Sequence, residues 1–130
     1  MILSTKGKYA VLAMIDMRLH YQDRPINLAS IAKRNNLSIS YLEQIFFQLK
    51  KNNLVKSIKG PGGGYIFAKQ KESIKISEII QATGENIKIT NCQGKKNCTK
   101  NNNECRAHHL WSGLENKIYH YLNSISLTQL

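Results

Sequence analysis

Acidic side chains are scarce in this chain: 8 Asp and Glu stand against 19 Lys and Arg, a formal charge of +11 on 130 residues. Such an excess suits a polyanionic partner. A merely solvated basic surface would give the same count, so charge needs a matching fold before it argues for nucleic acid. Cysteine is limited to three residues, all between positions 92 and 105. Three thiols cannot all pair within one chain, and no disulfide scheme accounts for them. No apolar run approaches the length of a membrane span, and the stretch Met1–Lys8 lacks the basic start, long apolar run and small-residue cleavage site of a secretory signal. The expectation is a cytoplasmic protein with no membrane partner, in a compartment where reduced thiols favour metal ligation over disulfides. Repeats are absent, and no nucleophile-base-orienter set is present, so an enzyme is not expected. Gly60-Pro61-Gly62-Gly63-Gly64 is not followed by the Lys-Ser/Thr of a phosphate loop and does not open a helix, which excludes the nucleotide reading.

What is present is enough apolar content, 42%, for the core of one small domain with an appended element. Ser4 or Thr5 can cap a first helix in which Tyr9, Leu12, Ala13, Ile15, Met17 and Leu19 recur near helical spacing; Pro25 enforces a stop after it. Asn27 caps a short second helix with Leu28, Ile31 and Ala32 inward, and Asn35-Asn36 breaks it. A third helix runs to about Lys51, opened by a Ser40/Glu43 capping box, with Ser38 as the alternative cap. It buries Leu42, Ile45, Phe46 and Leu49, and its other face carries Tyr41, Glu43, Gln44, Phe47, Gln48 and Lys50. Leu54–Ile58 and Tyr65–Ala68 flank the glycine run as a hairpin, whose tip needs residues tolerant of positive φ.

Three helices and a two-stranded wing make a winged helix-turn-helix, with Leu28–Lys51 as the bihelical unit and its second helix in the major groove. The fold class expected is mainly α with a small β-hairpin. Residues 1–84 form the DNA-binding domain, 85–105 a loop, and 106–130 a long helix with a tail. Glu43 and Gln44 can read base edges, Thr5, Lys6, Lys8 and Tyr9 can hold phosphates, and Lys59 at the wing tip can approach the backbone or minor groove. The last helix carries Leu110, Leu114, Ile118, Tyr121, Leu122 and Ile125. That stripe is longer than a small domain covers alone, which favours a homodimer seam; packing on the first helix of its own subunit is the compatible alternative.

Between the last two elements lies Cys92-x5-Cys98-x6-Cys105-x2-His108, a four-ligand set. Structural zinc usually pairs cysteines two to four residues apart, so zinc is possible but not signalled. A two-iron, two-sulfide cluster tolerates a wider loop, and an imidazole in place of a thiolate makes it less negative. Mixed ligation in an exposed loop would release its cluster readily, which suits a sensor. His108 is favoured over His109, which points roughly 100° around the helix. An iron-sulfur electron carrier with a basic surface is the reading from another class, and the winged-helix layout argues against it.

Thr5-Lys6-Gly7-Lys8-Tyr9-Ala10, Ser38-Ile39-Ser40-Tyr41-Leu42-Glu43-Gln44, Gly60-Pro61-Gly62-Gly63-Gly64-Tyr65, Cys92-Gln93-Gly94 and Leu110-Trp111 resemble the IscR family of bacterial iron-sulfur cluster regulators. The resemblance spans nearly the whole chain and is most specific in the GPGGGY wing and the Cys3His set. It implies a homodimeric winged-helix repressor that binds promoter or operator DNA and a [2Fe-2S] cluster, through Cys92, Cys98, Cys105 and His108. It also implies base reading through Ser40, Glu43 and Gln44, within a contact surface that takes in Ser38, Tyr41 and wing residues Lys59, Gly60, Pro61 and Gly62. Cluster occupancy would then control the genes that build such clusters; sensing of nitric oxide or redox state, or a structural zinc, is the alternative within the same class. The chain departs from the family pattern in having lysine, not arginine, at 59, and one extra residue between Cys98 and Cys105.

Overall fold

One hydroxyl sets the start of the first helix: Ser4 Oγ accepts the Gly7 amide at 3.1 Å, satisfying one of the donors that a helix N-terminus leaves unpaired. The computed structural model describes residues 3–90, 95, 99 and 103–130. Helix α1 spans Thr5–His20 and buries Ala10, Ala13, Met14 and Met17, with Gly7 and Asp16. Leu12 and Leu19, expected with the apolar set, lie exposed on the opposite side. The inner face mixes Met14 and Met17 with the small residues Gly7, Ala10 and Ala13, which periodicity of large apolar residues does not register.

Helix α2 (Leu28–Asn35) is capped by Asn27, whose Oδ1 accepts the Ser30 amide at 2.8 Å. It buries Ile31 and Ala32, with Leu28 only partly covered. Asn36 ends it in the left-handed region at φ 53°, which asparagine tolerates better than most residues. Helix α3 (Ile39–Lys51) starts at Ser38, whose Oγ accepts the Tyr41 amide at 3.4 Å. Ser38 is therefore the cap, and Glu43 is left exposed. The inward set is Leu42, Ile45, Phe46 and Leu49, as the periodicity predicts.

Strands β1 (Val55–Ile58) and β2 (Gly64–Phe67) pair antiparallel in the register Val55↔Phe67 to Ile58↔Gly64. Ile26 adds a one-residue bridge to the free edge of β2, exchanging both hydrogen bonds with Tyr65 at 2.8 and 2.9 Å. The wing is thereby tied to the segment between α1 and α2. Behind it, Phe46 meets Tyr65 at 4.9 Å between ring centroids and Tyr21 meets Phe67 at 5.3 Å.

Helix α4 (Ile76–Ala82) buries Ile76, Ile79 and Ile80 in the same core. Helix α5 (His108–Ser124) has no fully buried residue of its own. The segment after it turns back: Ile76 N donates to Ile125 O at 3.0 Å and Leu127 N to Ile74 O at 2.8 Å. Leu127 is wholly buried in the core. Arg18 caps this arrangement by donating to the carbonyl oxygens of Thr128, at 2.9 Å, and Leu130. Among the described residues no helix is long and apolar enough to cross a membrane.

Candidate nucleic-acid interface and metal centre

An ion pair between a buried carboxylate and a partly exposed guanidinium ties α1 to the helix-turn-helix. Asp16, 7% exposed, accepts from Arg34 Nη2 at 2.6 Å and Nε at 2.9 Å and from Asn35 Nδ2 at 2.9 Å. Burial pushes its carboxyl up, but the hydrogen bonds from Arg34 and Asn35 and the nearby positive charge of Arg34 and His20 outweigh that and hold it below the ordinary value. The same contact raises Arg34. The ion pair ties α1 to α2; Tyr9 and Tyr41, meeting edge to face at 5.9 Å, tie α1 to α3. These rings are half-buried, so packing is their first role.

Ser40, Glu43 and Gln44 stand exposed on the outer side of α3, at the i, i+3, i+4 spacing that puts them on one face. Lys6, from the first turn of α1, lines the same shallow surface hollow as these three, with Phe47 and Gln48. Thr5 and Lys8 are exposed on the same helix, whose N-terminal end carries partial positive charge. Ser38 is occupied as a cap and bonds Ser40 Oγ at 2.9 Å. Sequence spacing could align α3's own residues; bringing Lys6 beside them is a tertiary result.

At the wing, Gly63 N donates to Gly60 O at 2.9 Å across Pro61 and Gly62, and Gly62 has φ +74°. Proline second and glycine third is what a type II turn demands. Gly64, at φ +154°, lies so close to Ile26 that a Cβ would meet its carbonyl oxygen at 2.4 Å. Lys59, Gly60, Pro61 and Gly62 are all exposed at this tip.

Of the four candidate ligands, Cys92 and Cys98 lie outside the described residues. Cys105 carries a free, half-buried thiol. His108 follows it at the mouth of α5, its amide donating to Cys105 O at 2.9 Å. The His108 side chain is 9% exposed; that of His109 is 88% exposed and pairs with Glu104 at 2.9 Å. A soft thiol beside a sheltered imidazole suits iron or zinc, and His109, turned to solvent, suits it less. Among the described residues no three His, Cys, Asp or Glu side chains gather closely enough to hold a metal ion.

Helix α5 divides its apolar stripe. Leu122 and Ile125 pack against the core and Ile118 is half-buried, while Leu110, Leu114 and Tyr121 are exposed, joined by Trp111 and Tyr119. Two carboxylates at the ends of this region gave no sequence signal. Glu85 Oε1 accepts the Ser4 amide at 2.6 Å, and its other oxygen fills the space where a Cβ on Gly7 would stand. Glu115 accepts the Ile89 amide at 3.0 Å and pairs with Lys88 at 3.3 Å. The start of the 85–105 segment is thus tied both to the N-terminus of α1 and to α5. Neither glutamate falls in a motif, because each acts on a backbone amide distant in sequence.

Similarity to known proteins bears on this arrangement. The sequence pattern of the Rrf2 family, described as an iron-dependent transcriptional regulator, matches residues 3–130. The HTH-type transcriptional regulator IscR of Yersinia pestis is 47% identical over 130 residues, covering all of this chain and 79% of the relative. Among solved structures, T. potens IscR superposes with a TM-score of 0.79 at 35% identity, covering 98% of this chain and 84% of that one. CymR of B. subtilis, titled a global cysteine regulator, superposes with a TM-score of 0.82 at 31% identity, covering 98% and 94%. One architecture thus serves regulators with differently titled roles.

Proposed function

Since the chain belongs to the Rrf2 family of iron-dependent transcriptional regulators, we propose that it works as a homodimer controlled by occupancy of a [2Fe-2S] cluster. In this reading it represses promoters of iron-sulfur cluster assembly genes. The observation that carries its DNA-binding core is the outward surface on which Ser40, Glu43 and Gln44 of α3 stand beside Lys6 of α1. With α3 in the major groove, Glu43 accepts from a cytosine amino group and Gln44 matches adenine. Lys6 and Lys8 hold phosphates, and Lys59 brings the wing tip to the minor groove. The exposed Leu110, Leu114 and Tyr121 of α5 find cover on a second copy, with Ile118, Leu122 and Ile125 continuing the stripe inward.

Cys92, Cys98, Cys105 and His108 would hold the cluster, which when bound supplies an oxidant-sensitive and removable link across the loop. The chain's own contribution is anchorage. Glu85 ties the loop's beginning to the first turn of α1, and Glu115 ties residues 88–89 to α5. A change in the loop therefore bears on Lys6, Lys8 and the dimer helix together.

Purification without oxygen tests the cluster. The expected result is a brown protein with [2Fe-2S] absorption that Cys92→Ala, Cys98→Ala, Cys105→Ala and His108→Ala each lose while His109→Ala keeps it. A colourless protein holding only zinc would sink cluster sensing and leave the structural-zinc alternative. DNA binding is tested separately: a labelled cluster-assembly promoter should show a sequence-selective, salt-sensitive shift, and none with either form would refute this target.

A further inference from the structure

Phe46 and Phe47 are adjacent and meet opposite fates. Phe46 is fully buried, its ring against Tyr65. Phe47, about 100° further around the helix, is 63% exposed. A lone exposed apolar residue needs no explanation, but Phe47 is not placed at random. Ser40, Glu43, Gln44 and Phe47 fall at i, i+3, i+4 and i+7, which is one continuous stripe, and the same surface hollow is lined by all four with Lys6 and Gln48. The ring has no hydrogen-bonding group to offer a base edge. It offers apolar surface, and the one apolar group that base pairs present in the major groove is the 5-methyl of thymine.

We infer that Phe47 is a specificity-determining residue that packs on a thymine methyl group beside the base pairs faced by Glu43 and Gln44. This rests on the DNA-binding reading of α3 proposed above. The three-residue rise from Gln44 to Phe47 is about 4.5 Å, against about 3.4 Å between successive bases along a strand. With α3 lying along the groove, the methyl belongs to a base pair one or two steps from the one Gln44 meets. The surroundings favour DNA over an apolar protein surface: Lys6 lines the same hollow, Lys50 and Lys51 are exposed further along α3, and the chain carries a formal charge of +11.

The intact protein would be used to select a duplex from a random pool, and each thymine of that duplex would be replaced singly by deoxyuridine, which lacks only the methyl. Fluorescence anisotropy gives the Kd of each. At one or two thymines the replacement should weaken the natural protein about fourfold, the value of one methyl contact at roughly 0.8 kcal/mol. Phe47→Ala should bind the thymine and deoxyuridine duplexes alike, and Phe47→Leu should keep part of the preference. Phe47→Ser provides a second loss variant should the alanine form fold poorly. An unchanged preference in either loss variant, or no methyl-sensitive thymine at all, overturns the assignment while leaving DNA binding intact. Failure of the natural protein to select any sequence overturns the DNA reading of α3 and this inference with it.

Discussion

Asp16→Asn removes one charge with almost no change of shape, and its cost follows from the contacts it disturbs. The carboxylate accepts from Arg34 Nε and Nη2 and from Asn35 Nδ2 at 2.6–2.9 Å. An asparagine amide would turn a donor toward at least one of these donors. Breaking a buried ion pair costs about 3–5 kcal/mol, but the Arg34 side chain is 34% exposed, so water recovers part of the loss. We expect about 2 kcal/mol at pH 7, or a fall in Tm of roughly 8 °C for a domain of this size. Because the folded Asp16 pKa is lowered from 3.8, the unfolded state binds more protons in the window between the folded and unfolded values. Stability from this group is fully present above about pH 4 and is lost as pH falls through the folded value. Thermal melts of both proteins from pH 7 to pH 2 should therefore converge at the acid end. A difference at pH 7 below about 0.5 kcal/mol, within the range of ordinary surface changes, would refute the reasoning, as would a gap that widens as pH falls below the unfolded value. Arg34→Met, combined with Asp16→Asn in a double-mutant cycle, should show coupling well above what independent sites give.

Leu127→Ala should destabilise by about 2–5 kcal/mol in urea or thermal unfolding, because this side chain is fully buried although it lies beyond α5. Gly64→Ala should break the Ile26–Tyr65 bridge, since its Cβ would meet Ile26 O at 2.4 Å. The expected result is a lowered Tm and weakened DNA binding, and an unchanged Tm would contradict the close approach. Lys59→Ala should weaken binding, most at duplexes with a narrow minor groove, and reduce the slope of log K against log salt by about 1. Lys59→Arg should favour duplexes with a narrow minor groove, because the planar fork suits that site better than an ammonium. Equal binding of narrow- and wide-groove duplexes by Lys59→Arg would place this residue on the backbone alone.

Much of the architecture was legible in one dimension because the forces involved are local. The inner face of α3 could be read from a 3.6-residue period, the cap at Asn27 from its short polar side chain, and the hairpin tip from proline and glycines that match a single turn type. For α1 the same method misplaced Leu12 and Leu19. Periodicity weighs large apolar residues, whereas the packed side of this helix combines Met14 and Met17 with the small Gly7, Ala10 and Ala13. At α3 the Ser40/Glu43 capping box suggested by the sequence gives way to its alternative, Ser38, whose hydroxyl accepts the Tyr41 amide.

From the sequence alone came the winged helix-turn-helix, the outward Glu43 and Gln44, and the Cys3His spacing, all carried by neighbours within a few turns of chain. Only tertiary structure could decide what depends on contacts between distant segments. It set Lys6 beside α3, anchored Glu85 to the Ser4 amide 81 residues away, and folded Leu127 back onto Ile74, just before α4, and into the core. It also sheltered His108 while leaving His109 in water. Hydrogen bonds to backbone amides and the exclusion of water act between atoms close in space, and no period or motif along the chain records which atoms those will be.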